Sequence, residues 1–317
     1  MSIFKHSFET LTKEQIEEVQ AYFKGFDYRG ASCTFLSNYA WRDNYELSYE
    51  IIGEYLCMAG MVKDDPESKP IILMPLTKDG TYDLDKLRET VLNVKRRFDE
   101  NGWKLYIVSL AEHLKEILEE AFPGQLKFHH DEDFDEYVYL KERLITLSGR
   151  DLHKKKNHMN YFFKNYSYNV TKILPNMVDE VMDFVVQCRI GKENNGDDLE
   201  SLHMEEDAIR RFLEHTDEDD IYSTAIYIDG SLQAIALGER LSEDTAAEHF
   251  EKASSAYRGL YQVICSEFCK RLPEGIAYVN REEDMGIPNL RKAKEALRPM
   301  YKETKYSCCF LQSVTVK

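Results

Sequence analysis

Two short stretches in the last quarter of the chain gather side chains able to move protons and hold charge. "EHFEKASSAYRGLYQ" carries Glu251 and Lys252 at the end of an apolar strand, and "YVNREEDMGIP" carries Asn280, Arg281, Glu282 and Asp284 directly after another. In an open α/β sheet the carboxyl ends of strands face the ligand crevice, so both groups are placed to meet a substrate. Glu251 is a candidate proton acceptor or amine ligand, provided burial raises its pKa toward neutrality. A loop holding a fork-shaped cation and carboxylates suits a substrate with both amine and acid groups. The alternatives are a solvated strand rim for Glu251 and Lys252, and helix capping with an Arg–carboxylate pair for the loop. His249 alternates with Glu251 and reads as a packed histidine on the other side of the sheet.

A third stretch is basic. "GRDLHKKKNHMNYFFK" sets Arg150, Lys154, Lys155, Lys156 and Lys164 against Asp151 alone, in a chain whose formal net charge is −16. Asp151 is placed to cap a helix whose first turns carry His153 and Lys154 to Lys156. Successive helical residues turn by about 100°, so three adjacent lysines cannot all face one phosphate. His153, Lys154 and Lys156 are candidates for holding an anion, a lipid headgroup or the acceptor end of a transfer RNA; the alternative is a solvated face. Tyr161 is the one nearby stacking platform, which argues against a general single-strand binder.

The remaining chemistry is narrowed by what the residue types do not supply. Neither a Ser/His/Asp arrangement nor a reactive-cysteine motif is visible. The 7 cysteines are an odd number in apolar contexts, as expected of a reducing compartment. Cys265 and Cys269 share a helix face, but no matching His or Cys pair lies at a finger-like spacing, so no metal site is expected. "KENNGDD" and "NREEDMG" both lack calcium-loop spacing. The apolar runs fall short of the ~20 residues of a membrane span and no signal-peptide core opens the sequence, so a cytoplasmic protein is expected.

The elements that position these groups come from periodicity. At 317 residues, two domains are expected. In the first half, Leu84, Leu87, Val91, Val94 and Phe98 mark a helix ending at Asn101-Gly102. "YEIIGEYLCMAGMV" and "KPIILMPL" read as two strands joined by "KDDPES", and "WKLYIVSL" as a buried strand before a further helix. The second half repeats this order: a helix from Asp151 to Asn165, a strand "YNVTKIL", and a helix after Pro175. A loop "GKENNGDDLES" leads to a short helix, and a hairpin turns at Asp229-Gly230. A strand through "TAAEHFEKAS", a helix from Arg258 to Arg271, a strand "IAYVN" and a helix "PNLRKAKEAL" complete it.

"SNYAWRDNY" (37–45), "LSGRDLHKKKNHMNYF" (147–162), "EHFEKASSAYRGLYQVICSEF" (248–268) and "YVNREEDMGIPNLRKAKEALRPMYKETKY" (278–306) resemble a bacterial family related to the C-terminal domain of lysylphosphatidylglycerol synthases. That resemblance implies an α/β (α+β) fold of two tandem GNAT (acyl-CoA N-acyltransferase)-like domains, each a mixed sheet flanked by helices. The division expected is 1–147 and 148–317, with the active site in the second domain. It implies transfer of an acyl or aminoacyl group, from aminoacyl-tRNA or acyl-CoA, to an amine or hydroxyl such as a lipid headgroup or small molecule. The alternative is a non-catalytic sensor of an amino-acid-like or phosphorylated ligand. No cofactor is fixed. Glu251, Asn280 and Arg281 take the catalytic positions. Lys252, Arg258, Gly259, Glu282, Asp284 and Lys294 join the basic residues in binding substrate, Lys294 by contacting a phosphate or carboxylate. Gly259 fits the pyrophosphate turn of that fold, but Ala256 and Tyr261 replace its Arg/Gln and small residue. A Tyr side chain where backbone must meet phosphate disfavours coenzyme A; alternatively Tyr261 packs on its helix.

Overall fold

A computed structural model of the chain describes residues 3–24, 29–65, 67–193 and 199–311. Its elements run β1 (His6–Ser7), α1 (Lys13–Phe23), α2 (Phe35–Ala40), β2 (Ser48–Ile52), β3 (Tyr55–Gly60), β4 (Ile71–Leu73), α3 (Leu84–Glu100), β5 (Tyr106–Leu110), α4 (Glu112–Ala121) and β6 (Leu126–His130). They continue as β7 (Glu136–Leu140), α5 (Lys141–Thr146), α6 (His153–Asn165), β8 (Asn169–Thr171), α7 (Val178–Glu193), α8 (Leu199–Leu213), β9 (Ile221–Ile228) and β10 (Ser231–Arg240). The last six are β11 (Thr245–Ala253), α9 (Leu260–Arg271), β12 (Tyr278–Asn280), α10 (Pro288–Glu295), β13 (Tyr301–Glu303) and β14 (Tyr306–Phe310). Residues 194–198 of "GKENNGDDLES" lie outside the described residues. The expected single strand 49–62 is a hairpin, because Gly53 at φ 62° turns the chain between β2 and β3.

Two seven-stranded sheets form, in the orders β1-β2-β3-β4-β5-β14-β6 and β8-β9-β10-β11-β12-β7-β13. The orders are the same once each half has given up its last strand. β7, from the end of the first half, pairs antiparallel with β12 and β13, while β14 pairs antiparallel with β5 and β6. Each sheet has one parallel pair at the corresponding place, β4 with β5 and β11 with β12. The fold is thus a doubled GNAT-like topology.

The compact units are therefore not divided at 147/148. One comprises residues 1–28, 32–134 and 304–317, the other 29–31 and 135–303. The difference has a physical cause: β7 and β14 satisfy their backbone groups in the other half's sheet, and that signal has no counterpart in local periodicity.

In the first unit α3 buries Leu87, Val91, Val94 and Phe98, and its first turn is capped by the Asp83 carboxylate, which accepts from the Asp85 and Lys86 N–H groups. α3 and α4 contribute to one core with β3, β4 and β5. In the second unit α6 and α9 bury Met159, Phe162, Leu260, Val263, Ile264 and Phe268. Asp151 does not cap α6: its carboxylate pairs with Arg143 at 3.0 Å.

The central strands of the second sheet carry an irregularity. Along β10 and β11 the register steps from Leu237↔Phe250 to Gly238↔Glu248, leaving His249 as an extra residue. Such a bulge breaks the alternation of faces, so that residues three apart can share one. Gly238 sits against it, and a Cβ there would lie 1.9 Å from the Ala247 carbonyl oxygen. Gly238→Ala should therefore cost about 3 kcal/mol of unfolding free energy, measurable by urea denaturation; a loss under ~0.5 kcal/mol would show that the bulge tolerates the methyl.

Candidate active site in the second unit

β11 and β12 run together only at Thr245↔Tyr278, Ala246↔Val279 and Ala247↔Asn280. Beyond Asn280 the chain stays with β7, through Arg281 N–H to Tyr137 O at 2.9 Å and Tyr137 N–H to Glu282 O at 3.1 Å. β11 continues to Ala253, so a gap opens between the two strands from Glu248 onward. Arg281 spans it. Its Nη2 donates to Glu251 Oε2 at 2.9 Å. Its Nε lies 2.5 Å from Glu248 Oε2 but off the hydrogen-bond direction, an ion pair rather than a bond.

Glu248 and Glu251 meet the same guanidinium because the bulge at His249 turns them to one side. Glu248 is buried, and among the described residues its Oε1 has no hydrogen-bond partner. Burial raises the Glu251 pKa well above its ordinary value; Arg281 opposes this, and the adjacent Glu248 carboxyl reinforces it. Two acids against one guanidinium leave an excess negative charge, which protonation of Glu251 removes. Cys265 lies beside Glu248, its thiol pushed up by a bond to Cys269 and by burial, so it is not a thiolate nucleophile. Ligand atoms of Glu248, Glu251 and Cys265 all lie within 4.8 Å of one another. Arg281 already supplies the cation at this place, which disfavours a metal ion there.

His249 is a packed histidine, as expected, with its ring against Phe212, and it is also charged. It is fully enclosed, with Nδ1 2.7 Å from Glu282 Oε1 and Nε2 3.0 Å from Glu239 Oε1. Burial pulls its pKa down, but the bonds to Glu239 and Glu282 outweigh that and raise it to about 10, so the ring is an imidazolium pinning the bulge.

Several expected ligand residues are engaged by the protein itself. Asn280 is fully buried, donates to Arg29 O at 2.9 Å and to Glu136, and accepts from the Glu282 N–H. Asp284 takes a two-pronged bond from Arg291 and others from Tyr137 and the Gly286 N–H; the Arg291 bond first among these holds its carboxyl below the usual carboxylate range. Lys294 donates to the carbonyls of Arg281, Glu282 and Glu283, which fixes the loop carrying Arg281, and burial lowers its pKa to about 8. Lys252 points to the other face and pairs with Glu205 of α8. These side chains build the site's frame instead of lining it.

Gly259 also has a packing reason. At φ 92° it opens α9, and a Cβ would lie 2.1 Å from the His158 carbonyl oxygen of α6. The turn expected to cradle pyrophosphate is thus closely approached by a carbonyl, the wrong dipole end for an anion. Tyr261 is partly exposed; burial and then Glu251 raise its pKa to about 12. Arg258 stacks on Tyr161 at 4.8 Å. His153 is exposed and contacts Asn157, Lys154 is exposed and Lys156 partly so. Of the three adjacent lysines, Lys155 is the one turned toward the gap: burial lowers its pKa, as does Arg281, with Glu251 opposing. Glu248 was missed because flat-strand alternation assigns it to the face opposite Glu251.

In the first unit the corresponding strands pair at Ile72↔Ile107 and Leu73↔Val108, after which the chain returns to β3 through Leu76 and Leu56. Met74 and Leu76 are buried there, and no acids stand in that position. Arg42 is occupied by stacking on Tyr39 at 3.8 Å.

A doubled GNAT-like fold with one polar opening is the class of protein these features define. The chain matches the family model "Phosphatidylglycerol lysyltransferase, C-terminal" over residues 23–309, and it belongs to that family. A conserved protein of unknown function from Bacteroides thetaiotaomicron has a similar structure, with TM-score 0.83 and 27% identity over 98% of this chain and 100% of that one. L-PGS from Bacillus licheniformis shares the fold at TM-score 0.62 and 12% identity, covering 100% of this chain and 96% of that one. An uncharacterized protein of Mycoplasmoides gallisepticum is 24% identical over 74% of this chain and 73% of its own length. Among the described residues no helix is long and apolar enough to cross a membrane.

Two stability measurements test the site's electrostatics. Arg281→Met leaves two buried acids without their cation and should cost about 3–5 kcal/mol at pH 8. A carboxyl whose folded pKa lies above its unfolded one binds more protons folded, so this deficit should shrink as pH falls toward 5; a pH-independent deficit would refute the charge account. His249 has the raised pKa of a cation, so its contribution is present below its unfolded pKa of 6.5 and lost as pH rises toward about 10. His249→Gln should flatten the fall of wild-type melting temperature between pH 7 and 10; an unchanged slope would assign the fall elsewhere.

Proposed function

We propose that the protein is an acyl- or aminoacyl-transferase whose reaction centre is the Glu248–Glu251–Arg281 group at the opening of β11 and β12. The observation that carries this is the acid pair, Glu248 buried and Glu251 half-buried, one oxygen of which has no hydrogen-bond partner among the described residues, beside a strand edge freed from sheet pairing. Membership of a phosphatidylglycerol lysyltransferase family supports transfer chemistry. The acceptor in this reading is an amine or hydroxyl of a lipid headgroup or small molecule, and the donor an aminoacyl-tRNA or an acyl thioester. The closed turn at Gly259 and Tyr261 favours the former donor.

The acid pair with one proton between its members can both take and give a proton. The ionised carboxylate takes the proton of the attacking N–H or O–H as the new bond to the donor carbonyl carbon forms. The other carboxyl returns its proton to the departing ribose oxygen or sulfur as that bond breaks. The unpaired edge of β11 offers backbone N–H groups toward the developing oxyanion. Arg281 holds the two carboxyls in place and sets which of them is ionised.

The test is transfer of a labelled aminoacyl or acyl group from charged tRNA or acyl-CoA to candidate acceptors. Glu251→Gln should lower the rate by about 10²–10⁴-fold without lowering the melting temperature, since the neutral amide stands in for the protonated carboxyl and leaves Glu248 with Arg281. Ligand retained stoichiometrically, with no transfer from any donor, would replace the transferase with a binding protein.

A further inference from the structure

A group of cations with no acidic partner lies next to this opening. On α6, Lys154, His158 and Tyr161 fall at i, i+4 and i+7, one stripe of the helix, and Lys155 adjoins it. The stripe is held against the start of α9, because the His158 carbonyl nearly touches Gly259. Arg258, directly before Gly259, lays its guanidinium over the Tyr161 ring at 4.8 Å. Thus Lys154, Lys155, His158 and Arg258 converge from two elements, and Tyr161, 40% exposed, forms the floor under Arg258. Among the described residues none of the four has a carboxylate within ion-pair distance, although acids outnumber bases 57 to 41 in the chain. Of the permanent cations Lys155 is half-buried and Lys154 and Arg258 are exposed; most half-buried lysines and arginines elsewhere have such a partner, as Arg97 has Glu50 and Arg291 has Asp284. Assembled like charges cost stability unless something offsets them.

We propose that Lys154, Lys155, His158 and Arg258 form a binding site for the phosphoryl group of a phosphate ester, beside the reaction centre. Three permanent cations and a histidine match a tetrahedral group with several charged oxygens better than a carboxylate, which one Arg fork satisfies. Tyr161 pre-orients that fork, so little rotamer freedom is lost on binding. The site differs from the backbone turn at Gly259, which the α6 carbonyl obstructs. Calling the ester a part of donor or acceptor rests on the transferase reading; the phosphoryl site does not.

His158 supplies a second signature. Burial lowers its pKa, and so do Arg258, Lys154 and Lys155, the charged groups that face it from the start of α9 and from its own helix. A bound phosphate counters these cations, so His158 takes up a proton on binding and affinity rises as pH falls from 8 to 6.

Binding to the full chain is measured without any transfer step, by calorimetry with glycerol 3-phosphate and by co-sedimentation with anionic-phospholipid vesicles against phosphatidylcholine vesicles. The two arms separate a soluble ester from a lipid headgroup. The double variant Lys154→Ala, Arg258→Ala should weaken whichever is bound by about tenfold or more. Lys164→Ala, an exposed lysine in the last turn of α6, should stay within about twofold. Removing mutually repelling charges should leave the ligand-free melting temperature level or higher, so lost binding is not lost fold. His158→Gln should abolish proton uptake, read from the buffer dependence of the binding heat. Equal weakening by Lys164→Ala, undiminished affinity in the double variant, or capture of RNA with neither ester nor vesicle bound would each overturn the site. A chain that binds phosphate here yet transfers nothing would keep this proposal and discard the transferase.

Discussion

Two strands of one sheet part company while still anchored, and a single guanidinium bridges them. Arg281 is the constraint on which the second unit's chemistry depends. Its backbone stays with β7 while its side chain reaches the acids of β11. Enclosed ions must be compensated or neutralised: the guanidinium faces both carboxyls, and the raised pKa of Glu251 favours its neutral form. The arrangement stores an acid and a base side by side with little solvent between them.

Around that bridge the protein commits many polar side chains to holding shape. Lys294 gathers three carbonyls of the Arg281 loop, Asp284 fixes its end through Arg291 and Tyr137, and Asn280 closes its start. His249, as an imidazolium between Glu239 and Glu282, ties the bulge to the same loop. A reactive carboxyl pair is useful only if its geometry does not relax, and these bonds supply the stiffness.

How much was legible in the sequence depends on the range of each signal. The helices around Val91, Ile209 and Ile264 and the Asp229-Gly230 hairpin carry local periodicity or turn chemistry and were readable. Glu251 and Arg281 were readable as chemistry-bearing residues at strand ends. Glu248 was not, because a bulge shifts facing without any change in composition that marks it. The roles of Lys252, Asp284 and Lys294 were not readable either: their partners Glu205, Arg291 and the 281–283 carbonyls are set by tertiary contact. Of three adjacent lysines, only the packing of α6 on α9 distinguishes Lys155.

The crossed ownership of β7 and β14 has a consequence for biosynthesis. The slot between β5 and β6 is filled by residues 306–310, which follow the whole of the second unit in the chain, so the first sheet stays open along two edges until that unit has been synthesised. Vectorial, half-by-half maturation is thereby denied to this chain, and the nascent first half must be kept from pairing with strangers until its final ribbon arrives.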